Sequence, residues 1–323
     1  MDLALGNGWG RSHAVIIAPD QAGGAPWWPP ASLCVVSVPP WTPATVVTEA
    51  RFDSWLTVLL VLAAGLYLYG VHRLRARGDR WPAYRVVLFL GPGLGSIAAV
   101  TLSGLHAYDT VLISVHMVQH MVLSMVAPIF LALGAPVTLA LRTLPRGYRR
   151  RLVRVLHSGP ARVLAFPLVA YALFVSTPFV LYFSGLYRVT LANPVAHELV
   201  HVHFIAVGCL FFWPLLGLDP LPGRWPYPAR ALLMLLSAPF HAVLGLTIMQ
   251  SRTLLGGDWY PSLGLPWTDP FADQNVAGGI LWAGGEVVSV TMLLVLVAQW
   301  MKASEREAVR IDRALDRAEA LDR

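Results

Sequence analysis

The sequence predicts an all-α, polytopic membrane protein, folded as a bundle of seven transmembrane helices. Hydrophobic residues make up 56% of the 323 residues and charged residues only 13%, with a mean hydropathy of +0.59. Seven apolar stretches are each long enough to cross a bilayer, for which about 20 helical residues suffice. Arginines are concentrated in alternate loops between these stretches, as is typical of multi-span proteins.

The apolar stretches divide the chain into three parts. Residues 1–50 are rich in Pro, Gly and Trp and predict an irregular extracytoplasmic segment. Residues 51–301 contain the seven-span membrane domain. Residues 302–323 alternate acids and bases at helical spacing, which predicts a charged helical tail in the cytoplasm. The predicted spans lie at about 52–71, 84–104, 109–133, 161–183, 196–217, 229–250 and 276–300.

Two arginine-rich loops orient the bundle. Positively charged loops stay on the cytoplasmic side of a membrane, so the N-terminus is expected outside and the C-terminus in the cytoplasm. We interpret these loops as lipid-surface segments and expect no nucleic-acid partner, although the net charge is +6. They contain Arg73, Arg75, Arg77, Arg80 and Arg85, then Arg142, Arg146, Arg149, Arg150, Arg151, Arg154 and Arg162.

Two pairs of histidines within the spans predict a metal site. His116 and His120 share one face of the third span, and His197 and His201 share one face of the fifth. His241 lies at similar depth in the sixth. A lone histidine can simply hydrogen-bond a neighbouring helix. Several ionisable groups at one depth are costly in a membrane and by default mark a functional site.

Further side chains in the same half of the bundle are interpreted as orienting the ligands or guiding metal entry. Imidazoles suit zinc, copper, iron and nickel, while neighbouring thioethers favour Cu(I). With only two cysteines, Cys34 and Cys209, a thiolate cluster and a disulfide framework are excluded. The supporting set comprises Met117, Gln119, Met121, His203, Met249, Asp273, Gln274 and Glu286.

Two alternatives rest on the same histidines. Residues 197–201 spell H-E-L-V-H, which matches the H-E-x-x-H pattern of zinc proteases, with Glu198 as the general base. This indicates an intramembrane zinc metalloprotease, although no downstream ligand completes a known protease signature. If Glu198 is not catalytic, it can lie near the helix N-terminus, where the dipole favours an anion. Paired histidines can also ligate haem in a membrane redox protein.

Four stretches, taken in order, resemble the CtaG family of cytochrome c oxidase assembly factors. The resemblance covers roughly residues 40–300 and places the histidines where the family motifs have theirs. Glu198 is not a hallmark of the family, and the first 40 residues lie outside the match. The stretches are HMVQHMVLSMVAPIFLALGAPVTLALR (116–142), HELVHVHFIAVGCLFFWPLLGLDPLP (197–222), APFHAVLGL (238–246) and DQNVAGGILWAGGE (273–286).

The resemblance implies a multi-pass protein of the bacterial plasma membrane that is needed to form active haem–copper oxidase. A role in supplying copper to the CuB site is proposed for such proteins. We therefore expect a non-enzymatic assembly factor that binds copper, as Cu(I), in the outer half of the bundle. Expected partners are the lipid bilayer and cytochrome c oxidase subunit I or another oxidase assembly protein. The expected ligands are His116, His120, His197, His201 and His241.

Overall fold

The computed structural model describes residues 39–48, 55–221 and 225–321, and within these ranges the regular elements are all helices. Most of the predicted irregular segment, residues 1–50, lies outside the described residues. The long helices are α1 (Trp55–Arg75), α2 (Ala83–Thr101), α3 (Ile113–Thr143), α4 (Pro167–Phe183), α5 (Pro194–Leu216), α6 (Tyr227–Gln250) and α7 (Pro270–Leu321). The short helices are Thr45–Thr48, Gly104–Tyr108, Arg146–Leu156, Gly159–Leu164, Leu186–Ala192 and Trp259–Ser262.

The prediction of an all-α polytopic membrane protein is confirmed. Six of the long helices, all except α4, are long and apolar enough to cross a membrane. The α4 helix has only 17 residues and is followed, after a 72° bend, by the helix Leu186–Ala192. The bend lies at Ser184, whose backbone is extended. Within the described residues, the number of helices able to cross a membrane is therefore six, or seven if this bent pair forms one span.

Several helix boundaries differ from the predicted spans. Residues 109–112 precede α3 instead of opening it, because Leu112 has an extended backbone. The predicted fourth span began at 161, but Gly159–Leu164 is a separate short helix before α4. At the other end of the chain, α7 continues without a break from its apolar part to Leu321.

Two of the long helices contain a π-helical segment. In α2 the segment Phe89–Gly95 includes Pro92, which has no backbone N–H to donate to the preceding turn. In α3 the segment Val122–Val126 directly follows the turns that carry His116 and His120. Such local widenings occur frequently at functional sites.

Glycines allow the central helices to pack backbone against backbone. A Cβ atom added to Gly208 of α5 would lie 2.2 Å from the carbonyl oxygen of Ser124 in α3. A Cβ on Gly278 of α7 would lie 2.6 Å from the carbonyl oxygen of Gly245 in α6. Small residues permit this close approach, which stabilises helix pairs in membranes through van der Waals packing. The approach of α3 to α5 brings together the two helices that carry the histidine pairs.

Side-chain caps hold the ends of these two helices. Asp273 of α7 accepts hydrogen bonds from the backbone N–H groups of Ile113 (2.6 Å) and Ser114 (3.2 Å), and from the Ser114 hydroxyl. Asn193 accepts from the N–H groups of Val195 (2.9 Å) and Ala196 (3.2 Å) at the start of α5. These caps satisfy N–H groups that have no partner within the helix. The Asp273 cap also holds the start of α3 beside the start of α7.

The arginine distribution makes the orientation of the bundle testable. A topology reporter fused after Arg154 is expected to report the cytoplasm, and one fused after Asp258 is expected to report the exterior, because arginine-rich loops are retained on the cytoplasmic side. Paired alkaline phosphatase and green fluorescent protein fusions measure the two sides. A fusion after Arg77 serves as a second cytoplasmic reference. Finding the Arg154 and Asp258 fusions on the same side would contradict the orientation.

Candidate metal centre

Four histidines from two helices converge within the bundle, and we refer to them as the four-histidine cluster: His116 and His120 of α3, His197 and His201 of α5. The ring centroids lie 3.9 Å apart for the first pair and 4.5 Å apart for the second. Between the helices, the His116 and His197 rings are 5.4 Å apart, and the His120 and His201 rings are 5.7 Å apart. All four side chains are buried. The i, i+4 spacing aligns each pair on one face, and the contact at Gly208 brings the two faces together.

The four-histidine cluster is short of hydrogen-bond partners. Seven of its eight ring nitrogens have no hydrogen bond among the described residues; the exception is Nδ1 of His120. Buried polar atoms are normally paired, because leaving them unpaired costs about 1–3 kcal/mol each. Unpaired imidazole nitrogens that face one another are the arrangement that a bound transition metal satisfies. The cluster therefore fits a metal.

A hydrogen-bond chain orients one of the rings. The Tyr182 hydroxyl donates to Sδ of Met117 at 3.6 Å and lies 3.0 Å from Nδ1 of His120. When Nδ1 of His120 carries the ring proton and donates it to this hydroxyl, Nε2 of His120 is left unprotonated and able to bind a metal, as outer-shell partners commonly arrange for metal-binding histidines.

Two overlapping sets of three side chains have the spacing of metal ligands. The histidine group is His116, His120 and His197, and the aspartate group is Asp109, His197 and His201. In each group, one ligand atom per residue lies within 4.8 Å of the others. Ligand nitrogens about 2.0–2.1 Å from one ion are at most about 4.2 Å apart, so a small inward movement would complete either group. His197 belongs to both.

Asp109 and its neighbour His106 were missed by the sequence analysis. Oδ2 of Asp109 lies 2.9 Å from Nδ1 of His106 and 3.4 Å from Nε2 of His197. Burial alone would raise the pKa of the Asp109 carboxyl, but the neighbouring imidazoles of His197 and His106 outweigh burial and hold this pKa well below its usual range. The carboxylate is therefore anionic at neutral pH. The sequence signal for these two residues was a His-x-x-Asp spacing just before an apolar stretch. This spacing does not show whether the turn faces the histidines of α5.

Glu198, the glutamate of the H-E-x-x-H pattern, lies at the edge of the site. Its Oε2 is 3.6 Å from Nδ1 of His201, and its Oε1 is 3.7 Å from Nε2 of His106. The N-terminal cap of α5 is provided by Asn193 instead. Glu198 thus contributes negative charge beside two imidazoles at the more exposed side of the site.

His241 stands apart from both groups. Its Nδ1 lies 3.0 Å from the Ser237 carbonyl oxygen in its own helix. With His120, Met117 and Met121 it lines a cavity of about 20 Å³, which is large enough for about one water molecule. The cavity thus lies between His241 and His120 of the four-histidine cluster. His241 belongs to neither ligand group.

Four other side chains of the predicted supporting set contact parts of the protein other than the clustered imidazoles or make no polar contact. Gln119 is buried and donates to the Val100 carbonyl oxygen of α2 at 3.0 Å. His203 is exposed, with Nε2 3.1 Å from the Thr177 hydroxyl. Met249 packs against Gly278. Glu286 is half-buried on α7 and makes no hydrogen bond or ion pair among the described residues.

Gln274 and Asp273 act on the protein scaffold. Gln274 is buried, accepts from the Leu255 N–H at 2.7 Å and donates to the Thr253 carbonyl oxygen at 3.1 Å. It therefore holds the loop after α6 against α7, while Asp273 caps α3. Both residues hold helix ends in place near the site without contacting the clustered imidazoles.

The profile of one protein family, described as cytochrome c oxidase caa3 assembly factor (Caa3 CtaG), matches residues 65–303. The chain belongs to this family. The matched range includes the whole four-histidine cluster and Asp109. The expected resemblance to CtaG proteins is thereby confirmed.

Three mycobacterial proteins are similar to this CtaG-family chain. The uncharacterized proteins Mb0105 of Mycobacterium bovis and MT0111 of Mycobacterium tuberculosis are each 39% identical over 285 residues, covering 86% of this chain and 43% of their own length. ML1998 of Mycobacterium leprae is 36% identical over 283 residues, covering 85% of this chain and 43% of its own. The chain thus spans less than half the length of these curated relatives. No solved structure matches it.

Proposed function

We propose that this CtaG-family protein binds copper, as Cu(I), at the four-histidine cluster and supplies it to the CuB site of a haem–copper cytochrome c oxidase during assembly. The observation that carries the proposal is the convergence of four buried imidazoles, seven of whose ring nitrogens make no hydrogen bond among the described residues. Membership in a family of oxidase assembly factors connects this site to an oxidase. A haem–copper oxidase requires copper at its CuB site, so its assembly requires a source of copper.

The surroundings of the cluster favour a monovalent ion. The histidine group contains no carboxylate, and the Phe204 ring lies 4.5 Å from the His120 ring. Taking an ion out of water costs more as its charge rises, and uncompensated buried charge is strongly unfavourable. Neutral imidazoles with a nearby thioether such as Met117 suit Cu(I). The chain would hold the ion, orient its ligands and exclude water.

Delivery requires a partner within or at the membrane. Within the described residues, six or seven helices are long and apolar enough to cross a membrane, which supports a site inside a lipid-embedded bundle, the environment shared with the catalytic subunit of an oxidase. We therefore propose cytochrome c oxidase subunit I, or another oxidase assembly protein, as the recipient. The orientation predicted from the arginines puts the cluster in the outer half of the membrane, in the bacterial plasma membrane.

The identity of the metal and the role of Glu198 are tested together. Protein purified from its host is expected to contain about one copper per chain, since three imidazoles suffice for one ion. The Glu198→Gln variant is expected to keep this copper and to support oxidase maturation, because the H-E-x-x-H glutamate has no general-base role in an assembly factor. Mass spectrometry of bound metals and oxidase activity of host membranes are the measurements.

A matched control is Glu307→Gln, which changes an exposed glutamate of the tail paired with Arg310 at 2.9 Å. Bound zinc, together with complete loss of function in folded Glu198→Gln protein, would favour an intramembrane metalloprotease. A Soret absorption band in the purified protein would favour a haem-binding redox protein.

A further inference from the structure

We propose that Asp109, His197 and His201 form a second metal site, through which copper passes on its way to the histidine group. The inference rests on the proposed function, because it describes how that cargo would reach its ligands. It assigns a role to Asp109, whose carboxylate forms a ligand group with His197 and His201. Within the described residues, no other acidic side chain belongs to either ligand group.

The aspartate group adjoins two partly exposed side chains, those of His106 and Glu198. His106, whose side chain is 30% exposed, contacts Asp109 at 2.9 Å. Glu198 is 14% exposed and lies beside His201. His116 is completely buried. An ion arriving from water past His106 and Glu198 therefore meets the buried Asp109 carboxylate and His201 imidazole before it meets His116.

The two groups share one ligand, which provides a short path between them. An ion bound by the aspartate group can keep His197 while it exchanges Asp109 and His201 for His116 and His120. The His197 ring lies 4.5 Å from the His201 ring and 5.4 Å from the His116 ring. The ion then moves by only a few ångströms and is bound by protein throughout. Ligand exchange of this kind changes neither the oxidation state of copper nor the number of protein ligands.

The donor atoms set the direction of movement. The aspartate group supplies two imidazoles and one carboxylate, while the histidine group supplies three imidazoles. Carboxylate oxygen is a harder donor than imidazole nitrogen and suits Cu(I) less well. The aspartate group is therefore the weaker of the two for this ion. Its negative charge attracts the cation at the entrance, and the all-imidazole group retains it.

Uptake kinetics of the purified full-length chain test this path. Cu(I) is presented anaerobically from a chromogenic chelator, and its transfer to the protein is followed by the chelator's absorbance. For Asp109→Asn we expect uptake slower by about tenfold or more, the size of effect seen when groups around a metal are changed. The final copper content is expected to match that of wild type, because the histidine group is intact.

Asp219→Asn is the matched control. Asp219 is also a buried carboxylate, and it accepts hydrogen bonds from the Thr138 N–H (2.8 Å) and hydroxyl (2.6 Å) in the last part of α3. It belongs to neither ligand group. Its replacement removes a buried carboxyl group of the same kind and should leave the rate of copper uptake unchanged.

A second variant, Asp109→Ala, removes the whole carboxyl group and leaves all four histidines in place. It should reproduce the slow uptake and the normal final copper content, and it decides the question if Asp109→Asn does not fold. Wild-type rates in both variants would overturn the entry path while leaving copper binding in place. Loss of final copper content in both would overturn it too, since Asp109 would then be a permanent ligand. Failure of wild type to take up copper would overturn the proposed function itself.

Discussion

Replacing either histidine pair is expected to remove tightly held copper as completely as replacing all four histidines. The His116→Ala/His120→Ala variant loses two members of the histidine group, and His197→Ala/His201→Ala loses the shared His197. Neither leaves three imidazoles around one ion. Residues that bind one ion act as a unit, so their effects are strongly non-additive. In the host, each variant should yield oxidase that lacks copper at CuB.

The measurement is copper per folded protein after competition with a chelator, for both double variants, the quadruple variant and wild type. A matched control is His72→Ala/His157→Ala, which removes two exposed histidines that belong to neither group. Full retention of copper in either site variant would contradict a shared site. Half retention would indicate two independent sites. Reduced protein abundance with normal copper per folded protein would indicate that the histidines act only in packing.

Gly208→Ala is expected to destabilise the protein and to weaken copper retention. The added Cβ would lie 2.2 Å from the Ser124 carbonyl oxygen and 2.6 Å from Cγ of Pro128. Backbone atoms cannot rotate away as a flexible side chain can, so α5 must move from α3. Overpacking of this kind costs about 1–3 kcal/mol. The same movement separates His197 and His201 from His116 and His120.

Thermal unfolding in detergent and chelator-resistant copper content measure the two effects. Gly65→Ala in α1 is the control, since a Cβ there meets nothing within 4 Å, and alanine favours a helix more than glycine does. Equal melting temperatures for Gly208→Ala and wild type would show that α3 and α5 tolerate separation. Lower stability with undiminished copper would show that the site does not depend on this contact.

Local patterns in the sequence predicted much of this architecture. Apolar stretches of bilayer length predicted the helices, because a span must satisfy its backbone groups internally. The period of the α-helix placed His116 with His120 and His197 with His201. Both signals lie within a single helix, where spacing along the chain translates directly into position. Four ordered stretches also indicated the family, which the match over residues 65–303 confirms.

The roles of the supporting residues depended on contacts between distant segments. Gln119 lies on the same helix as His116 and His120, but its side-chain amide donates a hydrogen bond to a backbone carbonyl of α2. Asp273 was interpreted as orienting the ligands or guiding metal entry, but it caps α3 from 159 or more residues away. Whether such a polar group contacts a metal or a helix end is decided by the packing of the helices, which spacing within one stretch does not report.

Sequence alone thus determined that this is a helical membrane protein with paired histidines at one depth in the bundle. Only the tertiary structure decided that the two pairs face each other, that Asp109 lies beside His197 and that His241 stands apart. The reason is physical. Helical periodicity is a property of residues that are neighbours along the chain. The contact of α3 with α5, by contrast, depends on the absence of a Cβ atom at Gly208. The position of Asp109 depends on how the turn before α3 folds against α5.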